Sequence, residues 1–312
     1  MSSKIVAVAG GTGKLGRAIV EELVNHGGYS VLILGREANP EKTKEIGAEI
    51  LAVDYSDADA IASTLEKNKI DTVISTLGSM FGSDPELALI EGSKKSNVTK
   101  RYIPSLWGCR YTSELAAFFP LAHSKIAYLK ALEGSSLEYT AVINGFFLDY
   151  WGFPKVKSYL GPNPLILDIA GNAAAIPGSG DVPGVFTYSF DIGRFVAALL
   201  SVTKWDKESV IIGDKLTWNE FLAIAEEVKG TKFTVAKDDL STLQQGKITE
   251  LPSQVALYPF FPKEQLQGFF AAFGIMFEKG FFDFKLEGTL NERYPEIKTK
   301  KAKDIVEEAW RA

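Results

Sequence analysis

Hydrophobic and polar positions in the first half of the chain follow a strand–helix rhythm. Lys4–Ala9 is a short run of β-branched and small residues and predicts a buried strand. From Lys14 to His26 the period lengthens. Leu15, Ala18, Ile19 and Leu23 share one face, with charges elsewhere, and this predicts a helix. Further strands are expected at Tyr29–Leu34, Ile50–Val53, Thr72–Thr76, Arg101–Ile103 and Tyr139–Ile143. Helices are expected at Ala58–Lys67, Pro85–Ser96 and His123–Leu132, with no element assigned between Leu34 and Ile50. Strand and helix in alternation imply an α/β fold, a doubly wound parallel sheet covered by helices on both faces. Ligands of such sheets lie at the carboxyl ends of the strands, near the switch in strand order.

From about Asn144 the pattern changes. Proline, glycine and aromatic residues crowd Gly145–Gly184. A helix follows at Ile192–Leu200, then a short strand at Val210–Ile212, a helix at Trp218–Val228 and an aromatic helical stretch at Lys263–Glu278. We expect a nucleotide-binding domain over residues 1–150 and a smaller substrate lobe over 151–312, with some later segments returning to the sheet. Phe269, Phe273 and Phe277 fall on one helical stripe. Such stripes are more often core than pocket, and both uses stay open here.

Composition narrows the function classes. Net charge is −5 with no basic block, so nothing points to nucleic acid. The single cysteine, Cys109, excludes an internal disulfide framework, and with only two histidines, His26 and His123, no metal-ligand spacing arises. No apolar run reaches the roughly 18 residues a spanning helix needs. The first strand starts at once, leaving no room for a signal peptide, so a cytoplasmic location is expected. The oligomeric state is not legible.

The chemistry should sit just after each strand. Gly11-x-Gly13-x-x-Gly16 stands between the first strand and the first helix. A dinucleotide needs glycines there, for a tight turn, for backbone approach to the pyrophosphate and for close helix–strand packing. Gly10, Thr12, Lys14 and Leu15 complete the turn, and the free N–H groups of the helix start face the phosphates. Arg36 lies twenty residues beyond Gly16, where an NAD site would offer a carboxylate. Its planar cation suits a 2′-phosphate instead, with help from Lys42, although Glu37 blurs the case. Asp54 serves equally as an acceptor for an adenine amino group or as a cap for a helix starting near Ser56. Ser75, Thr76, Leu77, Gly78 and Ser79 are small enough for the backbone to run beside a ribose. Lys125 is expected in the first turn of the helix after the fifth strand, where a cation is unfavourable. Taken alone, it reads as a surface lysine. Tyr128 shares its face and His123 does not. Asn144 and Phe146 are placed beside the cofactor. Phe147, Tyr150 and Trp151 wall a substrate pocket or, equally, fill a lobe interface.

Together, Gly10-Gly-Thr-Gly13-Lys-Leu-Gly16, Arg36, Ile74-Ser-Thr-Leu-Gly78 and Pro104-Ser105 resemble the NmrA-like and isoflavone reductase-like proteins, atypical short-chain dehydrogenases. Asp191-Ile-Gly193 and Gly213-Asp-Lys-Leu-Thr217-Trp-Asn-Glu220 extend the likeness to roughly residues 4–235. The resemblance implies a Rossmann domain, NADP(H) as cofactor and reduction of a bulky aromatic metabolite. It also implies that Lys125 is the active-site acid or base, and so reverses the surface-lysine reading. Leu121 stands four residues before Lys125, so the Tyr-x-x-x-Lys pair of ordinary short-chain dehydrogenases is missing, as in the atypical branch. Leu106-Trp107 replaces the acidic–aromatic pair usual in the reductases, which puts Trp107 at a substrate pocket of altered shape. A rival from another class is a non-catalytic, NADP(H)-binding redox sensor of the NmrA type. Such regulators lack the lysine.

Overall fold

The β-branched run Ile5–Ala9 forms β1, a central strand of a six-stranded parallel sheet. In the computed structural model, which describes residues 2–78 and 85–311, the elements alternate strictly. They are β1, α1 (Lys14–His26), β2 (Ser30–Gly35), α2 (Pro40–Ile46), β3 (Glu49–Ala52), α3 (Ala58–Lys67), β4 (Thr72–Ser75), α4 (Pro85–Lys95) and β5 (Arg101–Ile103). After β5 come α5 (Ser113–Ala116), α6 (Leu121–Leu132) and β6 (Glu138–Tyr139). The strand order is β3-β2-β1-β4-β5-β6, that of a doubly wound Rossmann-type sheet. It reverses direction between β1 and β4, so the ligand crevice belongs at their carboxyl ends.

Three expectations need correction. The stretch left unassigned holds α2. Its signals are in the sequence: Asn39 accepts from the Lys42 N–H, Pro40 starts the helix and Gly47 ends it in the left-handed region. The expected strand Tyr139–Ile143 is two strands. Tyr139 pairs with β5, which stops before Pro104, a residue without an N–H to donate. Past Thr140, Ala141–Ile143 pairs instead with Glu208–Val210, which also shifts the strand expected at Val210–Ile212. Finally, α6 begins at Leu121, two residues early. Lys125 is therefore the fifth residue of the helix and lies in its second turn.

The chain divides into two units. The first comprises Met1–Ile143, Ser189–Ile211 and Thr289–Ile297. Within it, the helix Ser189–Leu200 packs on α1. A Cβ at Gly193 would come 2.9 Å from the Glu22 Cβ and 3.1 Å from the Ala18 carbonyl. The buried Arg101 guanidinium anchors the end of this helix. It donates to the carbonyls of Leu200, Val202 and Thr203, pairs with Glu138 at 2.7 Å and lies over the Trp205 ring. α4 packs on α3 in the same intimate way, with the Gly92 Cα against Ile61.

The second unit comprises Asn144–Tyr188, Ile212–Gly288 and Lys298–Ala312. Two three-stranded sheets stand in it, one of Thr234–Asp238, Ala173–Pro177 and Leu167–Asp168, the other of Asp214–Leu216, Gly184–Thr187 and Phe146–Phe147. The helix Trp218–Lys229 opens on a capping box between Thr217 and Glu220. Trp151, Phe186, Trp218, Phe221 and Phe277 meet edge-on or stacked in an aromatic core.

Gly92→Ala and Gly193→Ala pit helix propensity against space. Alanine favours a helix by about 1 kcal/mol, but overpacking costs about 1–3 kcal/mol. The Cβ distance of 2.7 Å to the Ile61 Cβ makes overpacking the larger effect at Gly92. Urea denaturation should show both variants destabilised. A gain in stability would refute the close packing.

Candidate functional site

The turn from β1 into α1 is built by what its glycines lack. A Cβ on Gly16 would lie 2.4 Å from the Gly10 carbonyl oxygen, and one on Gly10 2.8 Å from the Thr76 Oγ1. Both are impossible for a real side chain, so α1 can begin this close to the ends of β1 and β4 only with glycine there. Gly13 differs. It is the N-cap of α1, its backbone is extended, and a Cβ would meet nothing within 4 Å. Nothing within the described chain therefore requires glycine at Gly13, and its N–H side of the helix start is open to an approaching group. Leu15 is buried in the packing of α1, and Lys14 holds a left-handed φ of 44° beside Gly13.

A cavity of about 770 Å³ opens at this turn, within the range of small-molecule sites. Gly10, Thr12, Arg36, Asp54, Thr76 and Leu77 line it. A second cavity of about 390 Å³ shares Thr12, Gly35 and Arg36 with the first and adds Lys42 and Glu37. Two cations thus border one recess, Arg36 from the end of β2 and Lys42 from the first turn of α2. Asp54 accepts from the Ser56 N–H and hydroxyl, and these bonds hold its carboxyl below the usual range. It therefore shapes the turn, while the N-cap of α3 is Asp57. The lining residues Tyr55 and Ser56 were not singled out from the sequence. Their signal is position alone, at the carboxyl end of β3.

The end of β4 departs from expectation. Ser75 is fully buried and its hydroxyl donates to Glu86, so its side chain does not face the cavity. Thr76 donates to the Ala9 carbonyl and so ties β4 to β1. Ser79 lies outside the described residues. Glu86, in the first turn of α4, is 1% exposed and also accepts from the Tyr102 hydroxyl and the Ser105 N–H, each at 3.1 Å. Burial pushes its carboxyl above the ordinary glutamate range, against the pull of these donors and of Lys125. Nothing in the sequence marks this residue, because a glutamate behind a proline at a helix start reads as an exposed first-turn acid.

Ser105 is the pivot between Glu86 and Lys125. Its carbonyl accepts from the Lys125 ammonium at 2.5 Å, and its hydroxyl donates to the carbonyl of Leu77, on the cavity wall. The Lys125 Nζ lies 5.2 Å from the centre of the Tyr128 ring, within reach of a cation–π attraction. Trp107 donates its indole N–H to the Ser75 carbonyl, so the departure at Leu106-Trp107 braces the β4–β5 loops. Lys125, Tyr128 and Trp107 do not line the two cavities.

The other candidates lie in the second unit. Asn144 is fully buried; its amide donates to the Gly145 carbonyl and its own carbonyl accepts from Thr187. Phe146 is buried among Phe273, Phe277 and Phe282. Phe147 meets Tyr150 edge-on. Trp151 is 3% exposed and donates to the Leu167 carbonyl. Tyr150 and Trp151 also line a cavity of about 250 Å³ with Phe153, Leu257 and Trp310.

The chain is 36% identical over 297 residues to Oxidoreductase BOA1 of Botryotinia fuckeliana, covering 94% of this chain and 95% of that protein. It is 24% identical to the bifunctional pinoresinol-lariciresinol reductase of Linum perenne, covering 96% and 97% of the two chains. The leucoanthocyanidin reductase–NADPH complex from Vitis vinifera shares the fold, with a TM-score of 0.73, 21% identity and coverage of 97% and 98%. The NmrA-like family model matches residues 2–304, and the chain belongs to that family.

Proposed function

We propose that this protein is an NADPH-dependent oxidoreductase that reduces a small, largely apolar and aromatic metabolite. The observation that carries the reading is the recess at the carboxyl end of β2, where Arg36 and Lys42 border the same space as Thr12 of the glycine turn. A doubly charged 2′-phosphate fits that pair better than a ribose hydroxyl does. The residues present suit the dinucleotide: glycines where a Cβ would clash, an open Gly13, and an extended cavity along β1, β2 and β3. When bound, NADPH supplies the hydride.

The protein's own part is orientation and a proton. The N–H groups at the start of α1 and the Arg36 guanidinium bind the phosphates. Lys125 protonates the substrate oxygen, and Tyr128 steadies the ammonium with its ring. The likeness to the bifunctional pinoresinol-lariciresinol reductase and the aromatic side chains of the second unit support the choice of substrate class. Of the aromatic candidates we assign substrate contact to the half-buried Phe147 and Tyr150; Trp151, Asn144 and Phe146 are taken up in the packing of the second unit, and Trp107 braces the β4–β5 loops. Steady NADPH consumption with aromatic ketones, enones or quinones is expected. Dinucleotide binding with no turnover across such a panel would favour a sensor.

Substitutions at three positions separate the parts of this reading. Arg36→Ala should weaken NADPH binding by about 1.5–3 kcal/mol, about ten- to hundredfold in Kd, and leave NADH binding little changed. Equal wild-type affinities for NADPH and NADH would remove the phosphate assignment. Gly13→Val should abolish cofactor binding with the thermal melt preserved, because its Cβ has open space and an extended backbone. Calorimetric titration of the folded variant decides it. Lys125→Ala should keep NADPH affinity within a few-fold but lose turnover by ~10²–10⁴. Lys125→Arg should not restore it, since arginine holds its proton at working pH. An alanine variant with wild-type single-turnover rates would take Lys125 out of the mechanism.

A further inference from the structure

The least expected group in the first unit is the Glu86 carboxylate. It is 1% exposed, yet it is ringed by donors from three places: Ser75 on β4, Tyr102 on β5 and the Ser105 N–H beyond β5. Holding these segments together does not require a charge. A glutamine could keep the bonds to one oxygen and turn its NH2 toward the Ser75 hydroxyl, without the cost of taking an ion out of water. The charge has a counterpart in Lys125, which bonds the carbonyl of the same Ser105 whose N–H bonds Glu86. One peptide residue is thus gripped from both sides, by the anion on its N–H and by the cation on its carbonyl.

We infer that Glu86 is a positioning residue for Lys125: it fixes Ser105 and, as a buried counter-charge, keeps the lysine charged and seated on the Ser105 carbonyl. The inference deepens the proposed role of Lys125 as proton donor and rests on it. It gives the β4 and β5 loops a second task, since the residue that seats Lys125 also bonds the cavity wall at Leu77. Among the described residues, the groups that act on Glu86 are Ser75, Tyr102, Ser105 and Lys125; Tyr55 beyond β3 has its phenol pushed up first by burial and then by the Glu86 charge. Tyr102 and Tyr55 both stay neutral at working pH, burial pushing each phenol up. Lys125 is the cation that answers the carboxylate.

Competitive labelling of the full-length protein with acetic anhydride across a pH series, read at Lys125 by mass spectrometry, tests this without a known substrate. Lys130, exposed on the same helix, is the internal reference. Glu86→Gln keeps the shape and removes the charge. It should lower the Lys125 midpoint by about one pH unit or more, so that labelling at pH 8 rises about tenfold, with Lys130 unmoved. Glu86→Asp keeps the charge and should shift the midpoint by less than half as much. An unmoved Lys125 in folded Glu86→Gln, or an equal shift in Glu86→Asp, overturns the inference. The wild type supplies a check that needs no variant. Half-burial alone lowers a lysine, so a Lys125 midpoint at or above that of Lys130 supports the pairing, and one a full unit below it overturns it. These readouts are independent of turnover, so loss of the proton-donor role in Lys125→Ala kinetics is a separable result.

Discussion

The candidate site depends on how close α1 can start to the sheet. With the Gly16 Cα against the Gly10 carbonyl and the Thr76 hydroxyl, no atom can be added without moving the helix off β1 and β4. That contact sets where the first N–H groups of α1 point, and so where an anion can be held. Arg36 and Lys42 have meaning only relative to that point. Thr76 adds the lateral brace, since its hydroxyl bonds the last carbonyl of β1.

Two buried charges mark the two ends of β5. At its amino end Arg101 is surrounded by three carbonyls, a carboxylate and an indole ring, all of them fixed. That set holds the returning helix Ser189–Leu200 on the sheet. At the carboxyl end, where ligands of such sheets lie, Glu86 meets hydroxyls, an N–H and a lysine. Where the first set holds a returning helix on the sheet, the second holds the loop that bonds Leu77 on the cavity wall.

The sheet was legible because its strands are β-branched runs and its helices amphipathic. α1, α3 and β5 fall where the pattern puts them, and so does the aromatic helix Lys263–Glu278. What was missed obeys other signals. α2 is short and polar, so it shows through its caps rather than through a hydrophobic stripe. The split of the sixth strand depends on Glu208–Val210, a partner some seventy residues on that no local pattern reveals. In the site, the glycines and Arg36 announce themselves by spacing. Ser75 and Glu86 do not, because a serine after a strand and a glutamate at a helix start look alike whether they face ligand, solvent or each other.

The first unit is stitched from three separated stretches of chain, and this bears on how it forms. When residue 143 has left the ribosome the six strands exist, but the carbonyls that satisfy Arg101 lie some hundred residues ahead. Tyr29 likewise awaits the Ala197 carbonyl, and Tyr294 closes on Ala198 later still. Contacts of such sequence separation carry a large loop-closure entropy and slow the search. The nascent sheet must therefore persist with Glu138 at hand for Arg101 but its three carbonyl partners still to come, and with an uncovered α1 face, until the later segments arrive. That interval is the time of greatest exposure to aggregation, and to the chaperones that guard against it.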